Sequence, residues 1–397
     1  MFEPYDVIVV GSGPGGATAA YFLGQAGLRV LVLEKERLPR YKACGGGLSP
    51  QVLRQFPFSF DDVIERRFAA VSYAFGEHLT TIPLPEPLMA MVMRDRFDQH
   101  ILAHAHVDVR QGTAVRGVRE ETGRVVVETR SGDILTARHL IGADGANSVV
   151  ARSLGLRRNK RLAAALEIEA PVPAEVMQRF AQAPLIIFGE VRRGYLWIFP
   201  KVDLLSVGIA ALRPRPGELQ ATLHRVMSRY GVQLDDLPYQ GHPLPIYTSR
   251  EPIATGRVLL VGDAAGLIDP LTGEGIRLAI KSGRLAAEAI INGQPESYAR
   301  MVHQQIGRCH AVGLRLAYLF YLFPRACYVL GVRNPLATRA FVDMLAGRIG
   351  YPEVALRIFG SLPLYLLIES LSALVGFVVG SVSRQNLRSS FYDSLSG

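Results

Sequence analysis

Residues Asp6 to Glu34, DVIVVGSGPGGATAAYFLGQAGLRVLVLE, read as one β-turn-α-β unit and decide the fold. An apolar run is followed at once by Gly11, Gly13 and Gly16, in the G-x-G-x-x-G spacing of a dinucleotide-binding turn. The first glycine permits a tight turn, the second lets the backbone approach a pyrophosphate, and the third lets the helix pack on the strand.

The second half of the unit supplies a helix and an acid. A helix of small residues is predicted from about Gly15 to Gln25, and the phosphates of a dinucleotide bind at the positive end of such a helix. The second strand, Arg29–Leu33, ends on Glu34, at the spacing of roughly 20 residues where a carboxylate binds the ribose hydroxyls of an adenosine. The unit therefore predicts a dinucleotide site rather than only a tight turn before a packed helix.

Length and charge limit the classes of protein. The chain has 397 residues and a net charge of +9, and at ~150 residues per domain we expect two or three domains. No basic run with interleaved aromatic residues occurs, so nucleic-acid binding is not expected. Positive charge beside an apolar C-terminal third fits an anionic membrane surface or a phosphorylated substrate better.

Cysteine content and the N-terminus predict a cytoplasmic protein. Cys44, Cys309 and Cys327 form no C-x-x-C motif, so we expect neither a disulfide framework nor a metal site. The chain starts directly on a strand, so we expect no signal peptide. The predicted location is the cytoplasm, peripheral on the cytoplasmic face of a membrane.

A loop rich in glycine and proline, Leu38–Pro50, follows the first unit. Its three consecutive glycines, residues 45–47, require a sharp bend or a close approach of the backbone to something flat, unless the loop is simply flexible. Cys44 precedes them, and its thiol is either packed or faces a cofactor. The residues alone leave both interpretations open.

The next region mixes strands with one helix. Strands are predicted at Ala70–Phe75, Val107–Arg110, Ala114–Glu120, Val125–Arg130 and Ala137–Ala143. A helix is predicted over Met93–Leu102, and Arg94 at its start is placed to reach a phosphate. The last strand leads into Gly142–Gly145, whose acid, Asp144, lies where another loop of the first domain is expected.

The middle region alternates apolar and polar residues. Strands are predicted at Leu162–Ile168, Leu185–Val191, Gly194–Phe199 and Leu204–Leu212. Tyr195, Trp197 and Phe199 share one face of their strand, because side chains repeat every two residues. This face is either core or the aromatic wall of a pocket, and the only tryptophan of the chain favours the wall.

The first domain then returns. A strand is predicted at Arg257–Val261 and a helix from about Gly275 to Asn292. Asp263, at the end of that strand, is able to accept a hydrogen bond from a polyol. Backbone N–H groups at Gly273–Ile276 are able to stabilise negative charge on a ring.

These motifs resemble a known superfamily. The N-terminal unit, Gly142–Gly145 and Val261–Gly266 together resemble flavoproteins of the para-hydroxybenzoate hydroxylase fold. Within that superfamily, Pro39–Gly46 and Tyr195–Pro200 resemble the geranylgeranyl reductase (prenyl reductase) family, over about residues 5 to 295. The resemblance implies an α/β fold: a Rossmann-like, three-layer FAD-binding domain with a parallel sheet, an inserted antiparallel-sheet substrate domain and a helical C-terminal region.

The implied domains are discontinuous. The FAD-binding domain comprises residues 1–66, 94–160 and 251–296. The substrate domain comprises residues 67–93 and 161–250, and the apolar helical region comprises residues 297–397.

The resemblance also implies which residues bind. By this resemblance, the three glycines of the turn and Glu34 bind the ADP end of FAD, and Arg94 binds a phosphate. Asp263 binds the ribityl chain, and Gly273 and Gly275 bind the flavin ring. The full implied cofactor set is Gly11, Gly13, Gly16, Glu34, Cys44, Gly45, Gly46, Arg94, Val115, Asp144, Asp263, Gly273, Gly275 and Ile276. The implied substrate set is Tyr195, Trp197, Phe199 and Pro200.

The implied reaction saturates C=C bonds of a geranylgeranyl-type isoprenoid. Flavin N5 delivers hydride, and because an isolated prenyl alkene is unpolarised, a proton donor is needed as well. Cys44, or a water that it positions, is the expected donor, and Tyr195 and Trp197 are expected to stabilise transient positive charge. NADPH or ferredoxin is the expected transient electron donor, because the sequence carries a single dinucleotide fingerprint.

Rival functions and the head group stay open. A monooxygenase or halogenase of this fold is the main alternative, although halogenases resemble Trp-x-Trp-x-Ile-Pro where this chain has Tyr195 and Phe199, and a hydroxylase would lack the Cys-Gly-Gly loop. A non-catalytic prenyl-lipid-binding flavoprotein is a further one. The prenyl substrate carries a pyrophosphate, lipid, quinone or chlorophyll head group.

The C-terminal third is steadily apolar. Its patches are Ala311–Tyr321, Ala326–Val332 and Leu362–Val382. The last approaches the ~20 residues of a bilayer span, but Pro363 and Glu369 interrupt it. We therefore prefer a helix buried beside an apolar tunnel, or one in the membrane interface with Arg384 and Arg388 on head groups, to a transmembrane span.

Overall fold

The fold is described from a computed structural model, which covers the backbone of residues 5–84, 89–248 and 251–379, with side chains as far as Leu371. Arg384, Arg388 and the end of the patch Leu362–Val382 lie outside the described residues.

The strands of the described residues form two large sheets and one small sheet. Those of the described residues are β1 Tyr5–Val10, β2 Val30–Leu33, β3 Gly47–Leu48, β4 Ile64–Phe68, β5 Ala70–Phe75, β6 His78–Pro83, β7 Met89–Val92, β8 Asp108–Arg110, β9 Val115–Glu121, β10 Arg124–Thr129, β11 Ile134–Gly142, β12 Arg161–Pro171, β13 Leu185–Phe188, β14 Gly194–Pro200, β15 Leu204–Leu212, β16 Gln240–Ile246 and β17 Val258–Leu260.

Helices connect and cover the sheets. Within the described residues the α-helices are α1 Pro14–Gln25, α2 Pro50–Leu53, α3 Arg94–Ala103, α4 Val149–Ser153, α5 Ala174–Gln178, α6 Glu218–Arg229, α7 Ile276–Ile291, α8 Tyr298–Val302, α9 Arg308–Leu322, α10 Pro324–Cys327, α11 Pro335–Leu345 and α12 Tyr351–Val379. Short 3₁₀ turns lie at Asp61–Val63, Gly262–Ala265 and Pro295–Ser297, and π-helical segments at His303–Gly307 and Tyr328–Val332.

The first sheet has the order β8-β2-β1-β11-β10-β9, with β17 also paired to β11. The pairs β1–β2, β1–β11, β2–β8 and β11–β17 are parallel. The parallel strands β1, β2 and β17 carry apolar runs because both faces of such a sheet are covered, and β2 is buried along its whole length. The pairs β9–β10 and β10–β11 at the other edge are antiparallel. Parallel strands with α1 between β1 and β2 confirm the predicted Rossmann-type α/β domain.

The second sheet has the order β16-β12-β15-β14-β13-β5-β6. Its pairs are antiparallel except β13–β5. Two separate segments of the chain build it, 70–83 and 161–246, and α6 packs on it through Leu219, Leu223 and Val226. By contrast, β7 pairs with β3 and β4 in a small third sheet.

Some elements differ from the sequence prediction. β13 ends at Phe188 rather than Val191, because Gly189 has a φ of 85°, outside the extended region. The sequence analysis did not predict α6 or β16. The spacing of Leu219, Leu223 and Val226 is helical, so the signal for α6 was present in the sequence.

The C-terminal helices are bound to the second sheet at one end and exposed along much of their length. The Tyr328 hydroxyl donates a hydrogen bond to the Tyr73 carbonyl of β5 at 3.0 Å. Among the described residues, Tyr351–Leu371 is long and apolar enough to span a membrane by length and composition, with a mean hydropathy of 1.5. Only 17% of this window is buried in the protein, so most of it faces outward.

Candidate active site

A large cavity lies where the two main sheets meet, with a volume of about 1490 Å³. A pocket for one small ligand usually measures ~300–1,000 Å³, so this cavity has room for two. The carboxyl ends of four parallel strands border this cavity. The lining residues that follow these strands are Gly11–Gly15 after β1, Glu34 after β2, Ala143–Asp144 after β11 and Val261–Asp263 after β17. Open α/β sheets bind their ligands at this edge.

The glycines of the first turn have separate roles. Gly11 has a φ of 97°, and a Cβ there would lie 2.5 Å from the Ala143 carbonyl oxygen. Gly13 lines the cavity. Gly16 does not line it; a Cβ at this position would collide with the Gly11 carbonyl. Gly16 thus allows the close approach of α1 to the turn after β1, and its cofactor contact stays a prediction.

Glu34 is buried at the cavity edge. It accepts hydrogen bonds from the Ser12 amide at 3.0 Å, the Ser12 hydroxyl at 2.5 Å and the Glu36 amide at 3.0 Å. Burial raises its pKa, but these hydrogen bonds and the Arg40 charge outweigh burial and lower it overall. A carboxylate has about four acceptor sites, so Glu34 is held as an anion and retains capacity for a further donor.

Arg40 is a site residue that the sequence analysis missed. Its guanidinium lies 3.4 Å from Glu34 and 3.2 Å from Asp98, and a Cβ on Gly13 would be 3.7 Å from its Nη2. Nη1 is buried without a hydrogen-bond partner among the described residues. An unpaired cationic N–H beside a glycine turn fits an anion that binds there.

Arg94 lies in the same cavity but is already paired. Its Nε and Nη2 each donate to the Asp98 carboxylate at 2.8 Å, and the guanidinium also interacts with the Cys44 sulfur. Its predicted contact with a phosphate stays a prediction, and Arg40 is the better placed cation.

Asp144 and Val115 both line the cavity. Asp144 Oδ2 accepts hydrogen bonds from the first two amides of α4, those of Val149 and Val150, at 2.6 and 3.1 Å. Its Oδ1 is buried without a partner among the described residues. Burial raises the Asp144 pKa, against the opposing effect of those hydrogen bonds.

Asp263 belongs to a polar cluster that the sequence did not reveal. Its Oδ2 lies 3.5 Å from His242 Nε2, which lies 3.1 Å from Lys42 Nζ. Burial and the Arg94 charge lower the Lys42 pKa. The cluster joins the loop after β2, the strand β16 and the turn after β17, three segments far apart in sequence.

The Gly273–Ile276 segment meets the second sheet. Gly273, Gly275 and Ile276 line the cavity, and Gly275 is the N-cap of α7. The Tyr195 hydroxyl donates to the Thr272 carbonyl at 2.8 Å. Burial raises the Tyr195 pKa, so the hydroxyl remains a donor at neutral pH.

The Cys-Gly loop, residues 44–47, packs on aromatic rings. A Cβ on Gly45 would lie 2.8 Å from the Phe199 ring and 3.0 Å from Trp197 Nε1. Gly46 has a φ of 65°. Both predicted reasons for these glycines, a bend and a flat neighbour, are therefore present, and Cys44, Gly45 and Gly46 line the cavity.

The aromatic wall consists of Tyr195, Trp197 and Phe199, all of which line the cavity from one face of β14. Trp197 is 8% exposed, and its Nε1 has no hydrogen-bond partner among the described residues. Pro200 lies on the opposite face and does not line the cavity, because alternate side chains of a strand point to opposite sides. The substrate contact of Pro200 stays a prediction.

An apolar branch extends the cavity away from the glycine turns. Its lining residues come from β5 and β13 of the second sheet, the segment after β6, β7 of the third sheet and α11: Val71, Tyr73, Leu84, Met89, Ile186 and Leu345. This branch leads towards the C-terminal helices.

Comparisons with known proteins agree with this geometry. Residues 4–182 match the FAD binding domain family. A digeranylgeranylglycerophospholipid reductase of Thermoplasma volcanium is 32% identical, over 72% of this chain and 78% of that protein. A menaquinone reductase of Mycolicibacterium smegmatis is 30% identical, over 90% of this chain and 91% of that protein.

The chain belongs to the geranylgeranyl reductase family.

A solved structure shows the same fold for a relative. The geranylgeranyl bacteriochlorophyll reductase-like protein of Thermoplasma acidophilum superposes with a TM-score of 0.75 at 26% identity, covering 91% of this chain and 96% of that one. This member of the geranylgeranyl reductase family is therefore an FAD-dependent reductase.

The described residues of this geranylgeranyl reductase family member fit FAD. The unpaired Arg40 Nη1 and the N-terminus of α1 suit a diphosphate, while the free Asp144 Oδ1 and Asp263 suit the hydroxyls of a polyol. The Glu34 carboxylate retains acceptor capacity for a ribose hydroxyl. When bound, FAD supplies a two-electron carrier that transfers hydride.

The C-terminal region of this family member is hydrogen-bonded to the segment before α7. The Tyr351 hydroxyl at the start of α12 donates to Asp269 Oδ1 at 2.7 Å. Asp269 Oδ1 also accepts from the amides of Leu271 and Thr272 at 2.9 Å. The start of α12 is thus hydrogen-bonded, through Asp269, to the loop that carries Gly273.

Proposed function

We propose that this enzyme saturates C=C bonds in the isoprenoid chain of a prenyl lipid, with FAD as the hydride carrier. The observation that carries the proposal is the aromatic wall, which faces the same cavity as the glycine turns and continues into the apolar branch. A long apolar chain entering by that branch would pass Trp197 and Phe199 before it meets the cofactor.

The aromatic wall suits an alkene reduction. Ring faces attract positive charge, so Tyr195 and Trp197 would stabilise the cationic character that develops when an unpolarised alkene is protonated. The Tyr195 bond to the Thr272 carbonyl orients one ring towards the Gly273–Ile276 segment.

The head group of the substrate is a lipid, quinone or chlorophyll-type group, as the names of the relatives suggest, or a pyrophosphate. NADPH or ferredoxin is the proposed transient donor of electrons to FAD. The sequence carries one G-x-G-x-x-G turn, and that turn lies in the FAD-binding domain.

The test of the function is anaerobic. Purified enzyme is reduced with dithionite and mixed with geranylgeranyl pyrophosphate, a prenylated quinone or a prenylated glycerolipid, while the visible flavin band and the lipid mass are followed. Reoxidation with a lipid mass gain of two hydrogens per bond supports the proposal. Flavin that stays reduced until air is admitted, with an oxygenated product, would support a monooxygenase or halogenase instead.

Cys44 is the proposed last proton donor to the alkene, directly or through a water. Its sulfur accepts a hydrogen bond from the Gly46 amide at 3.4 Å, and Arg94 lies beside it. We expect Cys44→Ala to lower turnover at least about 100-fold, the lower end of what general acid catalysis contributes, while FAD stays bound. The measurement is single-turnover reoxidation with FAD content; Cys327→Ala, remote from the cavity, is the control, and equal rates for both variants would remove Cys44 from the mechanism.

A peripheral contact with the cytoplasmic face of a membrane is proposed for α9–α12. Large apolar side chains stand exposed along these helices: Tyr318, Leu322, Phe323, Leu356, Phe359 and Leu367. Exposed apolar patches of this kind mark interaction sites, and the apolar branch opens towards the same helices.

We expect Leu356→Glu to weaken binding to anionic vesicles about tenfold, because burial of one large apolar side chain contributes ~1.5–3 kcal/mol. Leu356 is 74% exposed, so the substitution leaves the fold intact. Vesicle flotation measures the partition coefficient. Ile134→Glu, at a side chain that is 56% exposed on the first sheet, is the matched control, and equal partitioning of both variants would contradict the membrane contact.

A further inference from the structure

A carboxyl group lies buried in the cavity wall beside the Cys-Gly loop. Glu167 on β12 is 3% exposed and lines the cavity. Its Oε1 accepts a hydrogen bond from the Ser206 hydroxyl at 2.5 Å. Its Oε2 is buried and has no hydrogen-bond partner among the described residues. A buried carboxylate with an unsatisfied oxygen is costly, so this environment favours the protonated acid.

The backbone of the Cys-Gly loop is held against this acid. The Cys44 amide N–H faces the Glu167 carboxyl, short of full hydrogen-bond geometry. Lys201, which is 1% exposed, donates to the Gly45 carbonyl at 2.6 Å and the Val92 carbonyl at 2.9 Å. The loop that carries the Cys44 thiol is therefore fixed beside Glu167.

The charges around Glu167 come from β12, the end of β14 and the Cys-Gly loop with its flank. Burial raises the pKa of Glu167 to about 7, against the opposing effects of Ser206, Lys201 and the Cys44 amide. The Glu169 charge raises it further, and burial together with the Glu167 charge raises the pKa of Tyr41. Burial lowers the pKa of Lys201 to about 8, so the ammonium form persists at neutral pH and would stabilise the carboxylate that remains after proton loss.

We propose that Glu167 supplies the proton of the alkene reduction through the Cys44 thiol or a water beside it, an inference that rests on the proposed function. One alkene carbon gains hydride from the bound cofactor. The π electrons form the second C–H bond with a proton from the thiol or water, which recovers a proton from Glu167. The alkene gains two electrons, the cofactor loses two, and the Glu167 carboxylate regains its proton from solvent.

The contacts of Cys44 and Glu167 assign the two residues different roles in the proton transfer. The Cys44 sulfur accepts a hydrogen bond from the Gly46 amide and lies beside Arg94, and both donors would stabilise the sulfur after it gives its proton to the alkene. Glu167 has an acid proton to give and stands behind the loop. It acts through Cys44 and is therefore a positioning and proton-supplying residue.

The test compares the wild type with Glu167→Gln and with Glu169→Gln, a control on the same face of β12 that does not line the cavity. Single-turnover reoxidation is measured with FAD content and lipid binding across pH values on both sides of about 7. We expect the rate of the wild type and Glu169→Gln to fall as pH rises through that value. Glu167→Gln should be about 100-fold slower below it, as expected for loss of a general acid, and independent of pH.

Thermal unfolding gives a second measurement that does not depend on turnover. The pKa of Glu167 is raised in the folded state, so its protonation stabilises the fold fully below the ordinary carboxyl pKa of 4.5, and that stabilisation is lost as pH rises from there to about 7. The Tm of the wild type should therefore fall relative to that of Glu167→Gln as pH rises, and Glu169→Gln should follow the wild type more closely.

Ser206→Ala provides a further variant if Glu167→Gln folds poorly. Because the Ser206 hydrogen bond lowers the Glu167 pKa, its loss should move the fall in rate to higher pH. An unchanged midpoint in Ser206→Ala, or the same pH profile in Glu167→Gln and the wild type, overturns the role of Glu167. Absence of reoxidation in the wild type with every prenyl substrate overturns the proposed function, and this inference with it.

Discussion

Replacing Gly208 with alanine is expected to lower prenyl reduction about 100-fold while the protein keeps its FAD. Gly208 on β15 lies directly opposite Trp197 on β14, and a Cβ at this position would come within 2.5 Å of the indole Cε2. The backbone of β15 is fixed by pairing on both sides, so the ring must move. A displacement of about 1 Å in a reacting group costs about 10²-fold in rate.

The measurement for Gly208→Ala uses the chain's single tryptophan. Its emission should shift to the red, because Trp197 is 8% exposed in the packed wall and would become more exposed. Gly117→Ala is the control, since the nearest atom to a Cβ there is the Ser153 hydroxyl at an ordinary 4.0 Å. Unchanged emission with unchanged turnover would show that the wall does not depend on this glycine.

Replacing Arg40 with methionine is expected to weaken FAD binding about 10- to 150-fold. The guanidinium has a buried Nη1 without a partner among the described residues, and Glu34 and Asp98 hold it beside the glycine turn. A hydrogen bond to a charged group contributes ~1.5–3 kcal/mol, which corresponds to that range. The FAD affinity of Arg40→Lys should lie between those of the wild type and Arg40→Met, because an ammonium keeps the charge but not the planar guanidinium.

The Kd of FAD is measured by titrating stripped protein and following flavin fluorescence. Arg116→Met is the matched control. Arg116 lies on β9, at the edge of the first sheet, where its side chain is 71% exposed and pairs with Glu128 of β10. Equal FAD affinity for both variants would mean that the diphosphate does not meet Arg40. If Arg94→Met alone lost FAD affinity, the phosphate would bind Arg94, as the sequence predicted.

Both expectations describe a site that is built across the two sheets. The first sheet presents the cofactor groups, while the second presents the aromatic wall and Glu167. Several hydrogen bonds connect the halves, among them Tyr195 to the Thr272 carbonyl, Lys201 to the Gly45 carbonyl and Lys42 to His242. A change in either half is therefore expected to alter the distance between cofactor and substrate.

Much of this site follows from local sequence patterns. The G-x-G-x-x-G turn between two apolar runs predicted the parallel sheet, because glycine spacing and apolar periodicity are properties of neighbouring residues. Alternation alone placed Tyr195, Trp197 and Phe199 on one face of β14. The triple glycine predicted a bend against something flat, and the family resemblance was confirmed by relatives that cover most of the chain.

Other parts depend on contacts between residues far apart in the chain. Arg40 lies in the loop motif Pro39–Gly46 without a role assigned to it, while Glu167 and Gly208 lie outside every motif. Each acquires its role from a distant partner: the Gly13 turn, the Cys44 amide and the Trp197 ring. Arg94 was expected at a phosphate, but the fold places Asp98 one helical turn away and pairs the two. Pro200 shares a motif with the aromatic wall yet faces away from it.

The sequence by itself determined which backbone units form and which side chains share a face, because hydrogen-bonding geometry repeats every two residues in a strand and every 3.6 in a helix. Only the tertiary structure decided which charges are paired, which carboxyl is buried and which glycine makes room for a ring. Those properties depend on desolvation and close packing between segments that the sequence separates, and no local pattern records them.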